Sequence, residues 1–202
     1  MKRALVPVAL AMLSAASAAA AKPLTENLLR CDSQFFSELY AQQAKFTHAA
    51  PLVKDSQRHA WFAPPKNDAG IVWFAQPVHM QQLTLSGFYL QQNNLDKLGN
   101  YFYWGWVIKE SPQAVMAALP EANWQSTGDG YITNAMIKRP GDSKWQVNNT
   151  AVSGIAPAEG SVEKLAILSV NKDKTLLLCT LQGSVTDEIL LPLRPDLAGG
   201  KK

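Results

Sequence analysis

Hydrophobic residues recur at two spacings along the chain, and the change of spacing separates helical from extended regions. From Leu24 to about Phe46 the apolar positions fall three or four residues apart, which predicts an amphipathic helix. Thr25, Asp32 and Ser33 are candidate N-caps for this helix or for a shorter version of it. From residue 58 onward apolar and polar residues alternate, which predicts strands. The predicted strands cover 58–63, 71–78, 82–90, 101–109, 131–138, 144–147, 165–170, 175–181 and 186–191.

Cap and turn signals set the boundaries of these elements. Ser111 followed by Pro112 predicts the start of a second helix, which ends near Pro120. The segment 139–142, with Pro140 followed by Gly141, predicts a type II turn. Residues 171–174 predict a tight hairpin, and 150–161 a loop.

The order of the elements predicts the fold class. Strands that follow one another through short turns pair antiparallel, and the helices are too few for a doubly wound parallel sheet. We therefore predict an α+β fold, an antiparallel β-sheet with two helices packed on one face. The sequence of helix, strands, helix, strands also raises the idea of two helix-plus-strands halves, which no residue identity supports.

The first residues have the three parts of a secretory signal peptide. Lys2 and Arg3 precede an apolar run over 4–13, and small residues follow up to Ala21. The apolar run is about half the length that spans a bilayer, which favours cleavage over a retained anchor. The predicted organisation is a signal peptide at 1–21, a single α+β domain at 22–195 and a disordered tail at 196–202. The expected location is the bacterial periplasm, or outside the cell.

Composition narrows the classes of partner. The formal net charge is +3 at pH 7, and Lys2 and Arg3 of the signal peptide contribute two of these charges. The mature chain is thus close to neutral, which argues against a nucleic-acid partner. No later segment is long and apolar enough to cross a membrane, so no transmembrane segment is expected after cleavage.

The chain has two cysteines, Cys31 and Cys179, both in the predicted mature part. Two cysteines in an exported protein usually form a disulfide, which is our prediction here. Two buried free thiols are the alternative. Neither cysteine belongs to a Cys-x-x-Cys pair, so a catalytic thiol is disfavoured.

The sequence shows no catalytic, metal or cofactor motif. The three histidines, His48, His59 and His79, form no metal-binding spacing, and there is no nucleophile elbow or phosphate loop. We therefore predict no catalytic residue, no metal and no cofactor, and favour a protein that is not an enzyme. The alternative is an envelope hydrolase in which His59 or His79 meets an acid or a serine.

The most unusual segment is the aromatic run at 101–106. On a strand, Tyr101 and Tyr103 share one face, while Phe102, Trp104 and Trp106 share the other. One interpretation is a central strand covered on both sides, with Gly105 making room for a neighbour. The other is that the tyrosine face is open and binds a ligand.

Two tryptophans on nearby predicted strands extend either a core or such a binding patch. The candidate binding residues are therefore Tyr101, Tyr103, Trp61 and Trp73. The predicted function is an exported periplasmic protein that acts as a non-enzymatic binding or inhibitor-like module for a protein or a cell-envelope polymer. An outer-membrane assembly factor is a further alternative.

Overall fold

The computed structural model describes residues 23–65 and 70–200, and the predicted signal peptide lies outside them. The helices are α1 (Leu24–Leu28), α2 (Gln34–Ala41), α3 (Pro112–Ala118) and α4 (Asp187–Leu190). Single 3₁₀ turns lie at Gln43–Phe46, Asp96–Leu98, Ala151–Ser153 and Pro195–Gly200. The strands are β1 (Leu52–Lys54), β2 (Ala60–Phe62), β3 (Ile71–Met80), β4 (Leu83–Asn94), β5 (Asn100–Ile108), β6 (Gln125–Thr127), β7 (Gly130–Lys138), β8 (Gln146–Val147), β9 (Val162–Asn171) and β10 (Lys174–Gly183).

The large sheet has the strand order β3-β4-β5-β10-β9-β7-β6, with β8 beside β7, and β1 and β2 form a small separate sheet. All pairs are antiparallel. Strands β5 and β10 meet in the middle and pair along their length, from Asn100 opposite Gly183 to Ile108 opposite Thr175. The predicted α+β class and antiparallel sheet are confirmed, and the sheet runs without interruption from the first group of strands to the second.

The helices pack on one face of this sheet, as predicted. The core there combines Phe35 of α2, Val115 of α3 and Leu190 of α4 with strand residues such as Trp106. Trp106 is fully buried. The ring of Phe46 stacks on it at 5.8 Å between centroids, and Phe88 meets it edge-on at 5.0 Å. Such ring pairs stabilise a fold by about 0.5–1.5 kcal/mol each beyond the area they bury. Among the described residues, no helix has the length and hydrophobicity to cross a membrane.

The predicted disulfide is confirmed and ties the helical layer to the centre of the sheet. Cys31 and Cys179 are bonded with their Cα atoms 5.4 Å apart, and both side chains are buried. Cys179 lies on β10, so the bond fixes the segment between α1 and α2 against the middle of the sheet.

The single helix predicted from Leu24 to Phe46 is wrong. The chain forms α1, α2 and a 3₁₀ turn instead, because Cys31 has a φ of 50°, which a right-handed helix does not contain. Asp32 then starts α2 anew, since its Oδ1 accepts a hydrogen bond from the Gln34 N–H at 3.0 Å. The long-range bond to Cys179 thus overrides a helical pattern that is continuous in the sequence.

One prediction near the C-terminus is also wrong. The strand predicted at 186–191 is helix α4, whose first turn carries Asp187 and Glu188, the charge that a helix N-terminus favours. A 3₁₀ turn over Pro195–Gly200 follows α4 and includes the first residues of the predicted tail. Leu197 in this turn packs against the core. Residues 201–202 lie outside the described part of the chain.

The cap signal at Ser111 and the predicted turns are confirmed, whereas neither Thr25 nor Ser33 caps a helix through its side chain. The Ser111 hydroxyl accepts a hydrogen bond from the Ala114 N–H at 3.3 Å and caps α3. Gly141 has a φ of 86°, as the third position of a type II turn requires, and the Asp142 N–H donates to the Arg139 carbonyl at 3.0 Å. A tight hairpin joins β9 to β10.

Candidate functional site

The sheet face opposite the helices carries the predicted tyrosines. We call it the open face, because the described residues that pack on its centre come from strands alone. The segment 148–161 covers its far end, where Ala151 packs against Ile132 and Leu165. On β5 itself, Tyr103 is half-buried and Tyr101 is only 8% exposed, although no described α-helix packs on this face. The centre of the open face consists of Tyr89, Gln91, Asn93, Tyr101, Tyr103, Val107, Leu176, Leu178, Thr180 and Gln182, with Glu163 at its margin.

Aliphatic side chains form the floor of the open face, and the half-buried rings of Tyr89 and Tyr103 lie at its surface, while Tyr101 is only 8% exposed. Val107 is fully buried, and Leu176 and Leu178 are only 5% and 6% exposed, although no helix covers them. Tyr89 packs against this group and stays half-buried. Because the aliphatic residues are shielded from within the sheet, a ligand on this face would meet mainly phenol rings and amides.

Tyr101 and Tyr103 form a stacked pair on β5. Their ring centroids lie 6.4 Å apart with an interplanar angle of 28°. Burial raises the pKa of Tyr103, and the nearby phenols of Tyr101 and Tyr89 add to the rise. Burial and the Glu163 carboxylate raise the pKa of Tyr101. Both phenols are therefore neutral near pH 7 and act as hydrogen-bonding groups rather than as charges.

A hydrogen-bonded network extends from these tyrosines across the sheet. Thr180 lies opposite Tyr103 on β10, and its hydroxyl donates to Gln182 Oε1 at 3.2 Å. Gln182 Nε2 donates to Glu163 Oε2 at 2.7 Å, and the side-chain amide of Asn148 donates to Glu163 Oε1. Glu163 is only 2% exposed, and burial raises its pKa despite these two hydrogen bonds. The carboxyl group thus orients amides and is not presented to solvent.

A second network follows β4 along the other side of the tyrosine pair. Tyr89, Gln91 and Asn93 alternate along the strand and so share a face. The Tyr89 hydroxyl donates to Gln91 Oε1, and Gln91 Nε2 donates to Asn93 Oδ1 at 3.2 Å. The register places Gln91 opposite Tyr103 and Asn93 opposite Tyr101.

The two predicted tryptophans lie in different places. Trp73 is 51% exposed and lies on the edge strand β3 opposite Gly87. It is on the open face, but at the opposite end of the strands from the tyrosine pair. Trp61 lies on β2 and packs against the core on the helical side of the sheet. The structure thus brings Tyr101 and Tyr103 together, and leaves Trp61 outside the group.

Trp61 instead lines a cleft of about 550 Å³ that also contains His59 and Asp55. The His59 ring contacts Asp55 through Nδ1 and Oδ2 at 2.8 Å. Burial raises the pKa of Asp55, but hydrogen bonds from the backbone and ring of His59 together lower it below its ordinary value. Asp55 also accepts the backbone N–H groups of Gln57 and His59, so this contact closes the turn between β1 and β2.

A second cavity, of about 440 Å³, lies at the bulge of β7 and is lined by both polar and apolar residues. Two of its polar side chains, Lys164 and Asn134, are engaged by the protein itself. Lys164 Nζ donates to the Arg30 carbonyl at 2.9 Å and lies over the Trp145 ring, while Asn134 donates to the Leu29 carbonyl at 3.1 Å. These contacts brace the helical layer against the sheet.

In residues 23–65 and 70–200, no group of three or more histidine, cysteine or acidic side chains is arranged to hold a metal ion. Comparison of the chain with models of protein families, with curated proteins and with solved structures finds no match in any of the three.

Sequence reasoning missed most of the polar part of the open face. Alternation in the sequence places Tyr89, Gln91 and Asn93 on one side of a strand, so this signal was available. The grouping of Glu163 with Gln182 and Asn148 depends on which strands are neighbours, and no local pattern encodes that.

Proposed function

We propose that this protein is exported, and that it acts as a non-enzymatic binding module in the periplasm, with the open face as its ligand-binding surface. The observation that carries the proposal is that no described α-helix packs on the centre of the open face. The described α-helices contribute to the core on the opposite side, and the open face presents the half-buried ring of Tyr103, stacked on the less exposed Tyr101, between two hydrogen-bonded amide networks. Aromatic side chains are common anchors of binding surfaces, because they bury large areas at a small entropic cost.

The predicted leader and the disulfide support the location. A structural disulfide persists in oxidising compartments such as the periplasm. Mass spectrometry of the periplasmic fraction is expected to find a chain that begins at or next to Lys22. Full-length chain in the cytosol with reduced thiols would contradict the proposal.

A test of the binding surface compares the mature protein with Tyr103→Ala and with the control Tyr40→Ala. Tyr40 is half-buried like Tyr103, but lies on α2 on the other side of the sheet. Immobilised wild type and Tyr40→Ala are expected to retain the same components of an envelope extract, whether protein or polysaccharide. Tyr103→Ala is expected to lose these components and still to unfold in a cooperative thermal transition. Equal retention by all three proteins, or collapse of the thermal transition in Tyr103→Ala, would count against a binding role for this face.

An envelope hydrolase built on His59 has one observation in its favour, the contact with Asp55 inside a cleft. Within the described residues no serine hydroxyl is hydrogen-bonded to the His59 ring, and Asp55 is already used to close a turn. His79 lies on the exposed side of β3, where its ring contacts the Thr84 hydroxyl at 3.4 Å. Burial raises the pKa of Glu110, but hydrogen bonds from Thr84 and the nearby His79 together lower it below its ordinary value, and that carboxylate already accepts the Thr84 N–H at 2.8 Å. The binding module is therefore the function that the geometry supports best.

A further inference from the structure

We propose that the ligand of the open face is an uncharged, polyhydroxylated chain, a glycan strand of the cell envelope. This inference rests on the proposed function and names the chemistry of its ligand. It follows from three properties of the face: its lack of accessible charge, the kind of groups at its surface and the way these groups are held.

At each of the three tyrosines, a row of directly opposite residues crosses the open face from strand to strand. These three rows contain no accessible charge. The register aligns Tyr89 with Leu178, Tyr103 with Thr180, and Tyr101 with Gln182 and Glu163. Apart from the phenols, Glu163 is the ionisable side chain in these rows. It is 2% exposed, and both of its carboxyl oxygens already accept a hydrogen bond from an amide. A cationic or anionic ligand would therefore find no counter-charge among these groups, whereas a neutral one needs none.

A sugar ring presents C–H groups on its faces and hydroxyls at its edge, and the groups at the surface of the open face can bind both. The face of a tyrosine ring carries partial negative charge, which attracts the polarised C–H groups of a pyranose. Amides offer donors and acceptors together, and so pair with hydroxyls in either orientation. Gln91 and Asn93 lie directly beside Tyr103 and Tyr101, so each ring has an amide next to it.

A protein partner fits this surface less well. The centre of a protein interface is usually apolar and well packed, with charged groups at its rim. Here the aliphatic groups Val107, Leu176 and Leu178 are already buried beneath the rings, so a partner would gain little further apolar burial from them.

The hydrogen-bonded networks hold the groups in place before any ligand arrives. Gln91 is held by Tyr89 and Asn93, and Gln182 by Thr180 and Glu163. Side chains that are already ordered lose less entropy on binding, which matters for ligands whose individual contacts are weak. The half-buried rings of Tyr89 and Tyr103 are offset by two residues of strand, about 7 Å, and Gln91 and Asn93 continue the surface beyond Tyr89, so the site is long enough for more than one sugar ring.

The test uses the mature, oxidised protein and four probes: chitohexaose, cellohexaose, purified peptidoglycan sacculi and the anionic polymer polygalacturonate. Calorimetry and co-sedimentation are expected to show binding to at least one of the first three and none to polygalacturonate. Tyr103→Ala should weaken that binding about fivefold or more, which corresponds to the loss of one stacked ring. Tyr103→Phe, which keeps the ring, should stay within about twofold of wild type, and Tyr40→Ala should bind like wild type.

The outcomes separate this inference from the proposed function. If none of the three neutral or glycan-based probes binds, but Tyr103→Ala still loses a protein captured from envelope extract, the glycan inference is overturned and the binding module stands. If polygalacturonate binds as tightly as the neutral sugars, or if glycan binding is unchanged in Tyr103→Ala, the inference is also overturned. If Tyr103→Ala changes neither glycan binding nor capture from extract, both proposals fail.

Discussion

Removal of the Cys31–Cys179 cross-link is expected to lower the free energy of unfolding by about 3–5 kcal/mol. The two residues are 148 positions apart, so the bond closes almost the whole folded chain into a loop. The chain-entropy relation gives about 5 kcal/mol at 25 °C for a loop of that length, which is an upper value because native strain reduces it. The perturbation is the double variant C31A/C179A, compared with the wild-type protein under oxidising conditions.

A second variant separates the cross-link from the backbone conformation. Cys31 has a φ of 50°, in the left-handed region, where alanine is strained by about 1–2 kcal/mol and glycine is not. Glycine loses about 0.5–1 kcal/mol more than alanine through the entropy of the unfolded chain. We therefore expect C31G/C179A to be slightly more stable than C31A/C179A, while both remain well below wild type.

The assay is guanidinium unfolding followed by tryptophan fluorescence, since Trp104 and Trp106 are fully buried in the folded protein. The dependence of the unfolding free energy on denaturant should be steeper in both double variants, because an unfolded chain without the cross-link exposes more surface. A loss below about 1 kcal/mol with an unchanged slope would refute the reasoning. It would mean that the unfolded chain stays compact without the bond.

Two further predictions concern buried charges. Burial raises the pKa of Glu163, so its contribution to stability is complete below the unfolded carboxyl pKa of about 4.3 and is lost as the pH rises through the folded pKa. E163Q should therefore gain stability relative to wild type between about pH 4 and pH 7 in urea unfolding, and a pH-independent difference would contradict this. Arg194 is 3% exposed and forms two hydrogen bonds to the buried Asp196 at 2.7 and 2.8 Å. R194A should cost about 3 kcal/mol by leaving that carboxylate unpaired. The double variant R194L/D196L should cost clearly less, and equal losses would argue against a pairing effect.

Local signals in the sequence account for much of the fold. Ser111 before Pro112 caps α3, Gly141 makes its turn, and alternation gives most of the strands, because caps, turns and strand faces depend on neighbouring residues. The short connections between strands predicted the antiparallel pairing, because only antiparallel neighbours can be joined by a tight turn. The short strands β1 and β6 were missed, since three residues are too few to show a period.

What the sequence determined by itself was the class of the fold, the pairing of its two cysteines and the side of β5 on which Tyr101 and Tyr103 lie. The tertiary structure alone decided that no described α-helix packs on the centre of this side, that Cys31 interrupts the first helix and that Glu163 joins Gln182 and Asn148. The difference has one physical cause. Helix periods, caps and turns are set by residues close together in the chain, whereas coverage and strand order depend on contacts between residues far apart in it.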